Sequence, residues 1–334
     1  MTLAAPPWTT ESELAQSSAA IDANWARGQS LSFTGVAGVH IEAVSVPAVP
    51  DTDSAPPILM LPGRTEALVK YRELTLDLNR RGHPVYLMDH RGQGQSGRLL
   101  DDPERGHVEA FSHYVDDVLT FIDTQLTGQS ERRPVLFAHS MGGCIAGRVL
   151  QRRVDAFAAA VLFAPMFEIQ TGAIPGWVAR TLIRSLAALP VGEGGEGYVP
   201  GGGGFADMPF EDGGVINPLT HSEVRFKRLM ADYAEFPETR LGSPTRRWFE
   251  LAQQAMAEAV QDSALVQTPT LLFNAADDPI VGANGQHAFC AGNPLIEGPR
   301  VVPGARHELL MESDAIRSVV LDEAMAFVAD ALSD

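Results

Sequence analysis

The sequence predicts an α/β fold, in which a mostly parallel central sheet is covered by helices on both faces. Short apolar runs of strand length alternate along the chain with longer segments whose apolar residues recur at helical spacing. The apolar runs are nearly continuous, which is typical of parallel strands buried on both faces. The length of 334 residues exceeds the roughly 250 to 300 residues at which a single core stops growing. We therefore expect a core domain that carries a sizeable insertion.

The predicted strands are short apolar runs such as I-L-M-L and V-L-F-A. They are predicted at 40–46, 58–61, 85–89, 134–138, 159–164, 270–274 and 300–302.

The predicted helices lie between these strands. Apolar residues recur near helical spacing in 66–81, and 111–126 places a row of apolar residues on one face. Segment 141–154 directs small residues towards the sheet, and two further helices are predicted at 282–290 and 315–332.

The alternation of strands and helices stops between residues 167 and 245. Glycine and proline become frequent there, and the glycine-rich stretch 192–204 is predicted to be a loop without regular structure. We interpret 1–30 as a lead-in, 31–166 and 246–334 as the two parts of the core, and 167–245 as a cap or lid inserted between them.

The charge balance restricts the expected partners. Lysine and arginine total 25 against 42 aspartate and glutamate, which gives a net charge of −17. Such a field repels polyanions, so nucleic acid is not an expected partner. It also disfavours tight docking on anionic lipid. An apolar patch could still make a transient contact with a membrane surface.

Two sequence features bear on where the protein acts. No run approaches the roughly 18 apolar residues of a membrane span, so we expect no transmembrane segment. The first residues lack a basic start followed by an apolar stretch, which predicts a cytoplasmic protein.

The run V-L-F-A-H-S-M-G-G at 135–143 is typical of a serine nucleophile. A strand that turns sharply into a helix leaves Ser140 at the apex, and the crowded backbone requires small neighbours. Gly142 and Gly143 supply that room, whereas Ala138 stands where the usual pattern has a third glycine. His139 directly precedes the nucleophile, and its side chain is expected to point away on the opposite face.

A serine hydroxyl needs a base, and the base needs a group that orients it. Such groups lie on loops at the carboxyl ends of strands. A-A-D-D-P-I-V follows strand 270–274, and P-G-A-R-H-E follows strand 300–302. We predict Asp278 as the acid, with Asp277 as the competing choice, and His307 as the base. The order serine, aspartate, histidine is that of the α/β-hydrolase arrangement.

Attack on a carbonyl creates an oxyanion, which two fixed N–H donors could stabilise. The expected donors are the N–H of Met141, directly after the nucleophile, and the N–H of Arg64 after strand 58–61. The side chain of Arg64 could contact an anionic substrate group or could simply be solvated.

No pattern indicates a cofactor or a metal. The histidines and cysteines lack zinc-like spacing, and the acidic residues form no calcium loop. Cys144 and Cys290 are predicted to be buried free thiols.

Several motifs in order give the chain a resemblance to a known family. It resembles the bacterial lysophospholipase group of α/β-hydrolases, close to the monoacylglycerol lipases, over about residues 31–334. The motifs are P-G-R-T-E (62–66), V-K-Y-R-E-L (69–74), D-H-R-G-Q-G-Q-S-G-R (89–98), G-H-V (106–108), Y-V-D-D-V (114–118), H-S-M-G-G (139–143), N-P-L-T-H-S (217–222) and H-E-L-L-M-E (307–312).

The resemblance implies a serine nucleophile, acid and base at Ser140, Asp278 and His307, and a cap that selects the substrate. It also implies that apolar residues of the cap region could line an acyl-chain pocket. These residues are Ile174, Trp177, Val178, Leu182, Ile183, Leu186, Leu189, Phe226, Leu229, Met230, Trp248 and Phe249.

The predicted function is a cofactor-free serine esterase that acts on a small-molecule ester or a single-acyl lipid, such as a lysophospholipid or monoacylglycerol. Two alternatives stay open. One is a serine aminopeptidase-type enzyme, because an acidic cap could hold a substrate ammonium group. The other is a non-catalytic binding protein that kept the fold.

Overall fold

A computed structural model describes residues 7–49, 55–170, 194–212 and 215–333. Within them, short strands form a central sheet and two small antiparallel pairs. The strands are β1 (Gln29–Ser30), β2 (Phe33–Thr34), β3 (His40–Ile41), β4 (Ala43–Val46), β5 (Ile58–Leu61), β6 (Val85–Met88), β7 (Val135–His139), β8 (Ala159–Phe163), β9 (Glu211–Asp212), β10 (Val215–Ile216), β11 (Thr270–Ala275) and β12 (Ile296–Val302).

The central sheet has eight strands in the order β1-β4-β6-β5-β7-β8-β11-β12. β4 pairs antiparallel with β1 and β6, while the six strands from β6 to β12 in this order run parallel. The predicted mostly parallel sheet is therefore confirmed. β5, β6, β7, β8 and β11 are buried at every residue, as expected for strands covered on both faces.

Helices cover this sheet. They are α1 (Glu11–Gln16), α2 (Ala19–Trp25), α3 (Arg72–Arg80), α4 (Ser112–Phe121), α5 (Met141–Arg152), α6 (Glu223–Glu235), α7 (Arg246–Gln261), α8 (Ala283–Ala291) and α9 (Asp314–Ala331). The predicted helix 66–81 divides into a 3₁₀ turn, Leu68–Tyr71, and α3. The predicted helix 111–126 divides into α4 and a π turn, Ile122–Leu126. None of the described helices is both long and apolar enough to span a bilayer.

The predicted insertion is described only in part, because residues 171–193 lie outside the described ranges. The glycine-rich stretch is less irregular than predicted. Gly194–Glu196 forms a 3₁₀ turn, and the N–H of Val199 donates to the carbonyl of Pro244 at 3.0 Å. Further along, α6 begins where the Ser222 hydroxyl accepts from the N–H of Arg225. The division into core and cap stays a prediction.

Both cysteines are buried free thiols, as predicted. Cys144 lies in α5 and Cys290 in α8, and neither forms a disulfide. Burial raises the pKa of each thiol to about 12. Neither thiol is therefore a reactive nucleophile at neutral pH.

Candidate active site

The turn between β7 and α5 holds Ser140 in a strained backbone conformation. Its φ and ψ are 50° and −118°, and a positive φ is uncommon for any residue except glycine. The next residues must be small. A Cβ on Gly142 would lie 2.3 Å from the carbonyl oxygen of Leu61 in β5, and a Cβ on Gly143 would lie 2.4 Å from a side-chain carbon of Pro165. The two glycines therefore allow the helix to start against the sheet.

Loops after β11 and β12 bring two side chains to Ser140. The His307 Nε2 atom lies 2.9 Å from the Ser140 Oγ atom, and the His307 Nδ1 atom lies 2.6 Å from an oxygen of Asp278. The other oxygen of Asp278 accepts from the N–H groups of Ile280 and Val281 at 2.8 and 3.1 Å, which fixes the carboxylate. Asp278, the preferred acid of the sequence analysis, thus contacts the imidazole.

Asp277, the competing choice, is exposed on the surface. Only its backbone takes part nearby, because its N–H donates to the carbonyl of Ala305 at 2.9 Å.

The two predicted oxyanion donors come from two different segments. Met141 is the first residue of α5, where N–H groups lack partners inside the helix, and Arg64 lies in the turn after β5. Neither N–H donates a hydrogen bond to any residue in the described part of the chain. An oxyanion donor must lack an internal partner, and both groups meet that requirement among the described residues.

A buried ionic network lies beside these residues. Glu66 accepts from the N–H of Gly63 at 2.6 Å, from the Tyr71 hydroxyl, and from the His139 Nδ1 atom at 2.7 Å. The other ring nitrogen of His139 lies 3.1 Å from the backbone oxygen of His307. Glu66 therefore links the loop that carries one oxyanion donor to the loop that carries the imidazole.

The sequence analysis missed this role of His139. It expected the side chain to point away from the nucleophile, but the ring is fully buried and its centroid lies 4.8 Å from that of His307. His139 ends β7, so its side chain reaches the same edge of the sheet as the residues that follow the other strands. The position at the strand end, directly before the serine, was the available signal.

Lys70 supplies the positive charge of this network. Its Nζ atom lies 3.1 Å from Glu66 and 2.5 Å from Glu308. Burial alone would favour the neutral forms, but the opposite charges raise the pKa of Lys70 and hold the pKa of Glu66 well below its usual range. For His139, burial is likewise outweighed by the carboxylates of Glu308 and Glu66, which raise its pKa.

The same carboxylates bear on metal binding. Ligand atoms of Glu66, His139 and Glu308 lie within 4.8 Å of one another, a spacing that could hold a metal ion. The ammonium group of Lys70 contacts both carboxylates, so the chain itself provides the counter-charge of this cluster.

A cavity of about 560 Å³ opens above Ser140 and His307. Its wall is largely apolar and combines residues from several loops with α6 and α7. The apolar lining residues are Met166, Ile169, Val199, Pro200, Leu219, Leu229, Tyr233, Pro244, Trp248, Phe249, Ile280 and Val281. The charged lining residues are Arg64, Glu66, Lys70 and Glu308.

The predicted acyl-pocket residues divide into three groups. Leu229, Trp248 and Phe249 line the cavity. Phe226 packs against the ring of Phe210, and Met230 packs beside Leu229 in a separate small cluster. The remaining predicted residues, from 174 to 189, lie outside the described ranges.

Sequence comparisons relate the chain to known hydrolases. The family model Hydrolase_4, described as serine aminopeptidase S33, matches residues 53–314. Lysophospholipase L2 of Escherichia coli strain K12 is 38% identical over 313 residues, covering 91% of this chain and 88% of that protein. The monoacylglycerol lipase of Mycolicibacterium smegmatis is 31% identical over 162 residues, covering 48% of this chain and 55% of that protein.

A solved structure shows the same fold. A soluble variant of the monoglyceride lipase of Saccharomyces cerevisiae, in complex with a substrate analog, aligns with a TM-score of 0.69 at 15% identity. The alignment covers 91% of this chain and 94% of that one. The predicted α/β-hydrolase fold and family resemblance are confirmed, and the chain belongs to the Hydrolase_4 family of the α/β-hydrolase superfamily.

Proposed function

We propose that the protein is a serine hydrolase that cleaves carboxylic esters through an acyl-enzyme intermediate. The observation that carries this proposal is the continuous set of hydrogen bonds from Ser140 through His307 to Asp278. An imidazole at 2.9 Å can accept the serine proton as the hydroxyl attacks, and the carboxylate holds the imidazole in the required tautomer.

The reaction would proceed in two halves. In the first, Ser140 attacks the ester carbonyl, His307 takes its proton, and the N–H groups of Met141 and Arg64 bind the oxyanion. His307 then protonates the alcohol as it leaves. In the second half, water attacks the acyl-enzyme with His307 again as base, and the carboxylic acid is released. One oxyanion donor typically contributes about 3 to 4 kcal/mol to the transition state.

The substrate class follows from the cavity and the relatives. An apolar wall above the serine suits an acyl chain, and the charged residues among its lining suit a polar head group. Relatives are named lysophospholipase L2 and monoacylglycerol lipase. We therefore assign the protein to single-acyl lipids, with residues 167–245 as the cap over the cavity. A cytoplasmic location with transient membrane contact belongs to this proposal.

A peptidase is the second candidate, because the matching family model is described as serine aminopeptidase. Such an enzyme needs a carboxylate for the substrate ammonium group. Glu66 and Glu308, which line the cavity, both pair with Lys70, and Arg64 adds a positive charge. In the described part of the wall these charges favour the ester over the amino-terminal peptide.

Two assays test the proposal. A fluorophosphonate probe should label the wild type and the control Ser32→Ala, whose serine is exposed, but not Ser140→Ala or His307→Ala. The wild type should hydrolyse lysophospholipid or monoacylglycerol faster than aminoacyl anilides. Labelling that survives Ser140→Ala would contradict the nucleophile, and faster cleavage of the anilides would favour the peptidase.

A further inference from the structure

The side chain of Arg64 lies in the cavity wall without a carboxylate partner among the described residues. Its Nη2 atom donates to the carbonyl of Gly242 at 2.5 Å, and its buried Nε atom has no hydrogen-bond partner. A guanidinium group carries five N–H donors. The described residues therefore use little of its capacity to donate hydrogen bonds.

This arrangement differs from that of other buried arginines in the chain. Arg91 pairs with Asp117 at 2.7 Å, and Arg317 pairs with Asp77 at 2.8 Å. Arg225 likewise contacts carboxylates at 2.8 and 3.0 Å. A buried charge without a counter-charge costs free energy, so a lone guanidinium beside a catalytic serine points to an anion supplied by the ligand.

The local packing holds the guanidinium in one place. Its carbon lies 5.3 Å from the centroid of the Trp248 ring. On another side a Cβ added to Gly106 would lie only 2.5 Å from Nη2, so the group lies closely against that glycine. A preformed, weakly hydrated guanidinium of this kind suits planar recognition of phosphate oxygens.

We propose that the Arg64 side chain is the phosphate-binding group of this cavity and selects lysophospholipids over neutral monoacyl lipids. This inference rests on the proposed function and names its substrate class. Lys70, the other lysine or arginine in the described part of the cavity wall, contacts two carboxylates and so has its charge compensated. Burial lowers the pKa of Arg64 to about 10, which leaves the group charged at neutral pH.

The test measures binding in the Ser140→Ala background, so that it does not depend on turnover. Calorimetry would give Kd for decanoyl lysophosphatidylglycerol, for decanoyl monoacylglycerol and for free decanoate. We expect Arg64→Gln to weaken binding of the phospholipid about 10- to 100-fold relative to the monoacylglycerol, because a charge-assisted hydrogen bond is lost. Arg64→Lys should restore part of the difference. Arg247→Gln, an exposed neighbour on α7, should leave the ratio unchanged.

Two outcomes would overturn the inference. An equal effect on both lipids would show that the side chain is only structural. It would then merely connect Gly242 to the loop after β5 that carries the Arg64 N–H, here called the oxyanion loop. A loss confined to decanoate would assign the site to the carboxylate of the released fatty acid. Hydrolysis by the wild type is measured separately. Failure to hydrolyse either lipid would contradict the proposed function, while the binding ratio still decides the phosphate site.

Discussion

At the scale of single residues, Glu66 connects the parts of the candidate site. Its carboxylate accepts hydrogen bonds from a backbone N–H of the oxyanion loop, from a tyrosine and from His139, and it pairs with Lys70. A buried carboxylate with several donors is stable in its charged form only while those donors stay in place. The shape of the loop that presents the Arg64 N–H therefore depends on this one side chain.

We expect Glu66→Gln to lower kcat about 100-fold with a smaller change in KM, because a displacement of the oxyanion donor by about 1 Å is enough for such a loss. The free energy of unfolding should fall by about 3 kcal/mol, as when one partner of a buried ion pair is removed. Steady-state kinetics and urea denaturation would measure both. Glu109→Gln removes an exposed carboxylate that also contacts a histidine, and it should change neither quantity.

The effect of Glu66→Gln on the free energy of unfolding should depend on pH, and the pKa of Glu66 gives the sign of that dependence. Burial alone would raise the pKa of Glu66, but Lys70 and His139 hold it well below its usual 4.5. The stability that Glu66 contributes is therefore complete above pH 4.5 and decreases as the pH falls below that value. The difference in unfolding free energy between wild type and Glu66→Gln should shrink on acidification, and a difference that grows would contradict this network.

At the scale of elements, the serine turn depends on how closely α5 approaches β5. The first turn of the helix lies directly over the end of that strand, and the chain leaves the strand through Pro62 into the oxyanion loop. The proposed nucleophile and one proposed oxyanion donor are thus positioned by the same contact between two elements. A change in the spacing of the helix and the strand must alter both.

Gly142→Ala should disturb this contact. The added Cβ would lie 2.3 Å from the carbonyl oxygen of Leu61 and 2.5 Å from that of Pro62, so backbone must move. We expect the free energy of unfolding to fall by about 1 to 3 kcal/mol, as for overpacked cores, and kcat/KM to fall at least about 100-fold.

Gly147→Ala in the same helix is the matched control, because its Cβ would meet only the Phe167 and Phe289 rings at 3.3 Å or more. If kcat/KM were nearly unchanged in both the control and Gly142→Ala, the close approach of α5 to β5 would not be required for activity.

The elements themselves were largely predictable, and the reason is physical. Strands buried on both faces must be apolar throughout, so β5, β7 and β8 stand out in the sequence within a residue at each end. β12 begins at Ile296, four residues before the predicted start, because it lies at the edge of the sheet and most of its residues are at least partly exposed. A charged, glycine-containing edge strand carries no continuous apolar signal.

The site was predictable only where its residues follow strands. Ser140 comes directly after β7, Asp278 and His307 lie on the loops that follow β11 and β12, and the structure brings all three together. The network of Glu66, Lys70 and Glu308 joins segments far apart in the sequence, and no local pattern indicates which charges will meet. His139 was misjudged because the end of a buried strand has no outward face.

At the scale of the whole molecule, Arg225 ties four separate segments together. From α6 it contacts Glu73 in α3 and Asp314 at the start of α9, and it donates to the backbone oxygens of Glu312 and Thr9. The N-terminal segment, α3, α6 and the start of the last helix thus share one buried cation. The position of α6, which also contributes to the cavity wall, is fixed by it.

We expect Arg225→Met to lower the free energy of unfolding by about 3 to 5 kcal/mol, because buried Glu73 would lose its closest partner and keep only Arg317, at 3.5 Å. Arg228→Met on the same helix removes only a partly exposed pair with Asp22 and should cost about 1 kcal/mol or less. Urea denaturation of both variants makes the comparison. If both variants lost a similarly small free energy of unfolding, the contacts of Arg225 would contribute little to stability.

The burial of both native thiols has a practical consequence for studying motion in this enzyme. Cys144 in α5 and Cys290 in α8 are buried and have a high pKa, so maleimide dyes should react with them slowly. A cysteine introduced at the exposed Lys227 of α6 would then carry a fluorophore with little background. Its emission, followed while lipid is added, would report whether this helix moves as substrate enters.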